Sequence, residues 1–235
     1  MASTTETIRI ETPGGMMPAQ LARPEGSGPL PAVLVIQEAF GLNEHIEDVA
    51  RRIAAAGYVT LAPDLFHRGG AHRTASYADL PAAIALMNEL KDDEVVADLD
   101  AALAWLRARD DVRGDRIGIT GFCMGGRISY LLACARPDAI AAAAPFYGGG
   151  IPVERTPALR CPVLAFFGGD DPFIPPEQVA WLEAAAREHD KAVEIVVYPG
   201  APHGFFCNER ESYRADAAAD AWQRLMDFLR EHLGA

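Results

Sequence analysis

Residues 121–126 read Gly121-Phe122-Cys123-Met124-Gly125-Gly126, and the reading of this stretch decides the fold. The preceding Asp115-Arg116-Ile117-Gly118-Ile119-Thr120 reads as a short buried strand, and Arg127 to Ala135 is apolar and long enough for a helix. Strand, sharp glycine-flanked turn and helix make the G-x-nucleophile-x-G elbow, with Cys where Ser usually sits. In that motif the nucleophile occupies a strained turn and projects from the end of a sheet. The residues two before and two after it face neighbouring backbone, where a Cβ would clash. The competing reading is a glycine-rich turn around a buried cysteine, so the case for chemistry depends on what the rest of the chain supplies.

Working outward, Ile8–Ile10 and Met17–Ala22 predict two short strands around the turn Thr12-Pro13-Gly14-Gly15. Pro31–Gln37 is a continuous apolar run, as expected of a central strand buried on both faces. A helix opens at Asn43-Glu44-His45-Ile46-Glu47, places Ile46, Val49, Ala50, Ile53 and Ala54 on one face, and ends at Gly57. Further strands are expected at Tyr58–Ala62, Ala139–Phe146, Pro162–Phe167 and Val193–Tyr198. Further helices are expected at about Leu80–Leu90, Glu94–Arg107, Pro176–Glu188 and Arg214–Leu233, with loops at Pro24–Gly28, Phe66–Tyr77 and Pro152–Arg160. Alternating strands and helices predict an α/β fold with a mostly parallel central sheet and helices on both faces. No break in composition divides residues 1–235, which are expected to form one domain with no large lid.

Composition excludes some functions. The net charge is −12 and no Lys/Arg run is present, which argues against nucleic-acid binding. No apolar stretch is long enough to span a bilayer, and the polar start Met1–Thr7 lacks the apolar core of a signal peptide. Cys123, Cys134, Cys161 and Cys207 show no CxxC pairing and no metal-ligand spacing, so free thiols in a reducing cytoplasm are expected.

Reactive groups recur at the expected strand ends: Glu38, Cys123, Asp170/Asp171 and His203. In an open α/β sheet, ligands bind outside the carboxyl ends of the strands. The order nucleophile, acid, histidine is that of α/β-hydrolases. Cys123 would attack a carbonyl as thiolate, His203 would carry the proton, and an aspartate would orient the imidazole. Asp171 is preferred over Asp170 because Asp171-Pro172-Phe173-Ile174-Pro175 matches a turn in which the acid precedes a helix. Backbone amides of Met124 and Ala39 are expected to bind the developing oxyanion.

At these residues the sequence resembles the dienelactone hydrolase (carboxymethylenebutenolidase) family of the α/β-hydrolase fold. The resemblance rests on Gln37-Glu38-Ala39-Phe40-Gly41, on Gly57-Tyr58 leading into Ala62-Pro63-Asp64-Leu65, on the Cys123 elbow, on Asp171 and on His203-Gly204-Phe205. It implies a Cys123–His203–Asp171 triad and an ester or lactone hydrolase working through a thioester on Cys123, with no metal or organic cofactor. It also implies a special role for Glu38, which in this family lies near the thiol; we expect Glu38 to keep Cys123 a neutral thiol until substrate arrives. A small-molecule substrate is expected, handled by a monomer or small homo-oligomer. A thioesterase or acyltransferase on the same triad, or a non-catalytic ligand-binding or redox-sensing homologue, are the alternatives. One departure concerns substrate binding. Family members acting on dienelactone carry an arginine shortly after the catalytic histidine, and Cys207 stands in that place here, with Arg210 beyond it. Arg68 and Arg73 are candidates for a second carboxylate-binding arginine. Phe40, Tyr147, Phe173, Phe205 and Phe206 are candidate aromatic walls, with Tyr147 a possible hydrogen-bond donor at the rim.

Overall fold

Ten residues of strand β1 (Ser3–Thr12) fold back on β2 (Gly15–Pro24), in antiparallel register from Ser3 opposite Pro24 to Thr12 opposite Gly15. Thr12 makes the turn: its hydroxyl accepts from Gly14 N (3.1 Å) and donates to Gly15 O (2.9 Å), and Gly15 takes φ +109°. The first strand is longer than its apolar core Ile8–Ile10 suggests. Thr4, Thr5 and Thr7 extend it, because β-branched side chains fit a pleated edge that faces water. The computed structural model describes residues 3–26, 28–70 and 72–234. Met1 and Ala2 of the polar start, Ser27 and Ala71 of two expected loops, and Ala235 lie outside the described residues.

The chain divides into two compact units, one ending at Gly118 and the other running from Ile119 to Gly234. In the first, β2 pairs antiparallel with β4 (Val59–Pro63), and β4 pairs parallel with β3 (Leu30–Ile36), giving the order β1-β2-β4-β3. Helix α1 (Glu44–Ala55) connects β3 to β4. Asn43 caps it by accepting from Ile46 N (3.2 Å), and Ile46, Val49, Ala50, Ile53 and Ala54 are buried on the expected face. Gly57 ends the turn at φ +113°. Helices α2 (Leu80–Asn88) and α3 (Asp92–Arg107) follow. Between β4 and α2 the loop makes a short 3-10 turn, His67–Gly69, from which Arg68 reaches α3 and grips Asp98 with two hydrogen bonds (3.0 and 2.8 Å).

Strand β5 (Val112–Phe122) starts in the first unit and ends in the second. The second unit continues with α4 (Met124–Ala135), β6 (Ala142–Phe146), β7 (Val163–Gly168), α5 (Pro176–Glu188), β8 (Val193–Tyr198) and α6 (Ala215–Leu233), with strand order β5-β6-β7-β8. β6 and β8 both run parallel to β7. The expected loop at Pro152–Arg160 contains a 3-10 turn, Val153–Ala158, and Thr156 within it is buried against Tyr130 of α4 through a 2.7 Å hydroxyl–hydroxyl hydrogen bond. Among the described residues, eight strands, mostly parallel and alternating with helices, make this an α/β-hydrolase fold.

Replacing Asn43 with Ala removes the cap of α1 and the hydrogen bond from Asn43 to the Tyr77 hydroxyl (3.0 Å). A cap of this kind contributes about 1 kcal/mol. In a chain of this size the melting temperature of N43A is expected to fall by about 2–4 °C, measured by thermal unfolding.

Candidate active site

The site grows from the end of β5. Thr120 is buried and donates to Ala144 O (2.7 Å), fixing β5 beside β6 three residues before Cys123. Cys123 then takes φ 56°, ψ −116°, a conformation that costs a non-glycine residue on the order of 1–3 kcal/mol. Three hydrogen bonds hold it there. Cys123 N donates to Phe146 O (3.0 Å), and Cys123 O accepts from Gly126 N (3.0 Å) and Arg127 N (3.2 Å). The close approaches fall at Gly121 and Gly126. A Cβ on Gly121 would lie 2.6 Å from the Gly125 carbonyl carbon and 2.7 Å from Ser129 Oγ, and one on Gly126 would run into the Phe146 carbonyl and Gly148 N. Gly126, three residues after the cysteine, is where α4 meets the end of β6. Met124 is the first residue of α4, so its amide has no acceptor within the helix.

Asp171 lies just past β7. Its Oδ1 accepts from Phe173 N (2.8 Å) and Ile174 N (3.2 Å), and its Oδ2 accepts from His203 Nδ1 (2.7 Å). Asp170 is exposed and contributes its amide to Ala201 O (3.0 Å), so Asp171 is the aspartate that meets the histidine. With Nδ1 turned to Asp171, the other ring nitrogen of His203 is left for Cys123, with which the ring is hydrogen-bonded. His203 is 8% exposed. Burial alone pulls its pKa down, but the hydrogen bonds to Asp171 and Cys123 and the charges on both more than offset this and push it up to about 10. The imidazole lies between two aromatic rings, Tyr147 (centroids 5.1 Å apart) and Phe173 (5.3 Å).

Other expected site residues stand differently. Glu38 and Ala39 belong to the first unit, just past β3. Glu38 is completely buried (0% exposed), and its carbonyl closes a tight turn by accepting from Gly41 N (3.1 Å). Gln37 braces the same turn, with its Oε1 accepting from Leu65 N (3.2 Å). Phe40 packs on Tyr77 (4.7 Å), and its carbonyl accepts from Ala75 N (3.1 Å). Arg73 is not poised for a substrate carboxylate: it forms a two-pronged ion pair with Glu89 at the surface (Nη2–Oε1 2.8 Å). Arg68 is likewise held by Asp98. Tyr147 is not at a rim. It is 0% exposed, sits at φ 35° and supports the imidazole from the interior, and Phe205, also 0% exposed, packs behind it at 5.4 Å. Both are therefore interior packing in place of the pocket walls expected of them. The Arg210 guanidinium fills the space above Gly204 that a Cβ would need. Cys207 is buried. Phe206 is buried too, stacked on Phe122. The support of His203 by Tyr147 was not legible from spacing. Its only signal was a tyrosine followed by three glycines at a strand end. Among the described residues no group of three or more His, Cys, Asp or Glu is arranged to hold a metal ion, and no helix is long and apolar enough to cross a membrane.

The sequence model of the dienelactone hydrolase family matches residues 17–233. The chain belongs to the dienelactone hydrolase family. An Escherichia coli K12 relative named "Putative carboxymethylenebutenolidase" is 41% identical over 238 residues, covering 96% of this chain and 86% of its own. A Bradyrhizobium relative named "Probable 2-oxo-3-(5-oxofuran-2-ylidene)propanoate lactonase" is 36% identical over 248 residues, covering 97% of each. A crystal structure of a "Putative Dienelactone Hydrolase" from Klebsiella pneumoniae superposes with a TM-score of 0.91 at 37% identity, covering 98% of this chain and all of the other. This dienelactone hydrolase family member is thus a hydrolase of esters or lactones.

The raised pKa of His203 has a sign that can be checked. The unfolded-state value is about 6.5. The charged ring therefore contributes stability that is fully present below about pH 6.5 and is lost as pH rises through about 10. The melting-temperature gap between wild type and D171N is expected to be widest at pH 6 and to narrow toward pH 10. Imidazole NMR should show His203 protonated at pH 8 in the wild type and titrating lower in C123A.

Proposed function

We propose that this chain, working as one catalytic domain, hydrolyses a carboxylic ester or lactone through a covalent thioester on Cys123. The observation that carries the reading is the chain of hydrogen bonds from Cys123 to His203 to Asp171, on a strained elbow at the head of a helix. Asp171 holds the ring so that its second nitrogen faces the sulfur. The charge on the ring stabilises a thiolate beside it.

The thiolate lone pair attacks the substrate carbonyl carbon, and the carbonyl π pair moves to oxygen. The resulting oxyanion is stabilised by the amide of Met124, the first residue of α4. Collapse breaks the bond to the leaving oxygen, which takes the proton from His203. For a lactone that oxygen stays tethered as a hydroxyl of the ring-opened acyl group. Neutral His203 then removes a proton from water as the oxygen attacks the thioester. Collapse of the second tetrahedral species expels the Cys123 thiolate and restores the thiolate–imidazolium pair.

The substrate is a small molecule. The lactonase name of the Bradyrhizobium relative favours a lactone or enol ester. Arg68 and Arg73 already bind Asp98 and Glu89, and a cysteine stands where the family's arginine is expected, which favours a neutral ester over an anionic one. Four free cysteines favour a cytoplasmic setting.

A panel of an activated aryl ester, a thioester, a simple lactone and dienelactone tests this. The wild type should turn over the aryl ester and the simple lactone faster than dienelactone, and C123A should lose at least about 10³-fold. Mass spectrometry should show an acyl adduct on Cys123. Transfer of the acyl group to an added alcohol in place of water would reassign the enzyme as an acyltransferase.

A further inference from the structure

The geometry points to a leaving-group subsite on the ring of Phe173. We infer that the alcohol or enol portion of the substrate packs against this side chain, so that the enzyme favours planar, apolar leaving groups. The inference rests on the Cys123 acyl-transfer reading above.

Two aromatic rings flank the His203 imidazole. Tyr147 is fully buried and has no face left for a ligand. Phe173 is 57% exposed, and its ring stands nearly perpendicular to the imidazole (86°) with centroids 5.3 Å apart. A phenylalanine left mostly in water contributes little burial energy to the fold. Its place is nevertheless fixed. The Phe173 amide donates to Asp171 Oδ1, the next amide donates to the same oxygen, Ile174 is buried, and Pro172 and Pro175 restrict the backbone on either side. The carboxylate that orients His203 therefore also sets the Phe173 backbone.

Proton transfer specifies what lies there. The leaving oxygen takes its proton from the nitrogen of His203 that faces Cys123, so at that moment it lies about 3 Å from that nitrogen. The atoms attached to it must then lie beside the imidazole, where Phe173 supplies the exposed apolar surface. The acyl group is held instead by Cys123 and the Met124 amide, and remains after the leaving group has gone. In the second half-reaction water occupies the leaving oxygen's place and has nothing to pack on Phe173. A leaving-group subsite thus acts on acylation and not on deacylation.

The test uses two esters with one acyl group, phenyl acetate and 2,2,2-trifluoroethyl acetate, on wild type, F173A and F173Y, with the acyl-enzyme followed by rapid-quench mass spectrometry. F173A is expected to lose about five- to tenfold in acylation kcat/KM for the phenyl ester. It should change less than about twofold for the trifluoroethyl ester and leave the deacylation rate constant unaltered. F173Y, which keeps a ring, should retain the preference. Equal losses on both esters, no loss on either, or slowed deacylation would overturn the subsite while the acyl-enzyme still formed on Cys123. Absence of any acyl-enzyme in the wild type would instead overturn the acyl-transfer reading and the subsite with it.

Discussion

The backbone of Cys123 is the constraint on which the second unit depends. At φ 56°, ψ −116° the residue can neither extend β5 nor begin α4, so the chain turns sharply and the side chain projects from the strand end. Strain of a few kcal/mol persists only where the surroundings over-determine it. Here they do, with the amide and carbonyl of Cys123 both bonded and Gly121 and Gly126 each pressed against backbone. Relaxing the turn would separate α4 from the end of β6. It would also move the sulfur away from the one histidine held to meet it.

That histidine is held by charge in a dry setting. Asp171 accepts three N–H donors, two from backbone and one from His203, and the imidazole packs on Tyr147, itself one of a run of rings with Phe205, Phe146 and Phe166. In such surroundings a hydrogen-bonded ion pair is stronger than in water, and an unpaired charge is more costly. The same apolar packing that would expel a lone imidazolium thus stabilises one placed between a carboxylate and a sulfur.

The sequence was legible where a local rule acts alone. The buried face of α1 follows from its 3.6-residue period, and the Asn43 cap and Gly57 stop follow from helix-end chemistry. The order of cysteine, aspartate and histidine after β5, β7 and β8 was readable because each follows an apolar strand. Asp171 could be separated from Asp170 because the Asp-Pro-Phe-Ile-Pro segment forms a recognisable turn. Where tertiary partners decide, the sequence was mute. Nothing local says that Arg68 is held by a residue thirty positions away on α3, or that Arg73 folds onto Glu89. Tyr147 stands at a strand end, as a rim residue would, yet its amide donates to Phe166 O (2.7 Å) and its ring is buried among Phe122, Phe146 and Phe205. The length of β1 was missed because its outer half carries threonine and glutamate in place of an apolar pattern, and its pairing with β2 holds it in the sheet.

The fate of the arginines bears on what the site can accept. A substrate carboxylate entering near Arg68 would have to displace Asp98, a side chain buried on α3 and joined to the guanidinium by two hydrogen bonds. Stripping that partner leaves a buried carboxylate uncompensated, a loss that a single incoming anion must exceed before it binds at all. Arg73 sits in a surface pair that water and salt weaken, so displacement there is easier, but the binding obtained in return is correspondingly small. The overall charge of −12 opposes an approaching anion further. Under the proposed preference for a neutral ester, discrimination comes from shape and apolar contact beside the imidazole. There the exposed aromatic ring beside His203 is the feature that the fold keeps without needing it for stability.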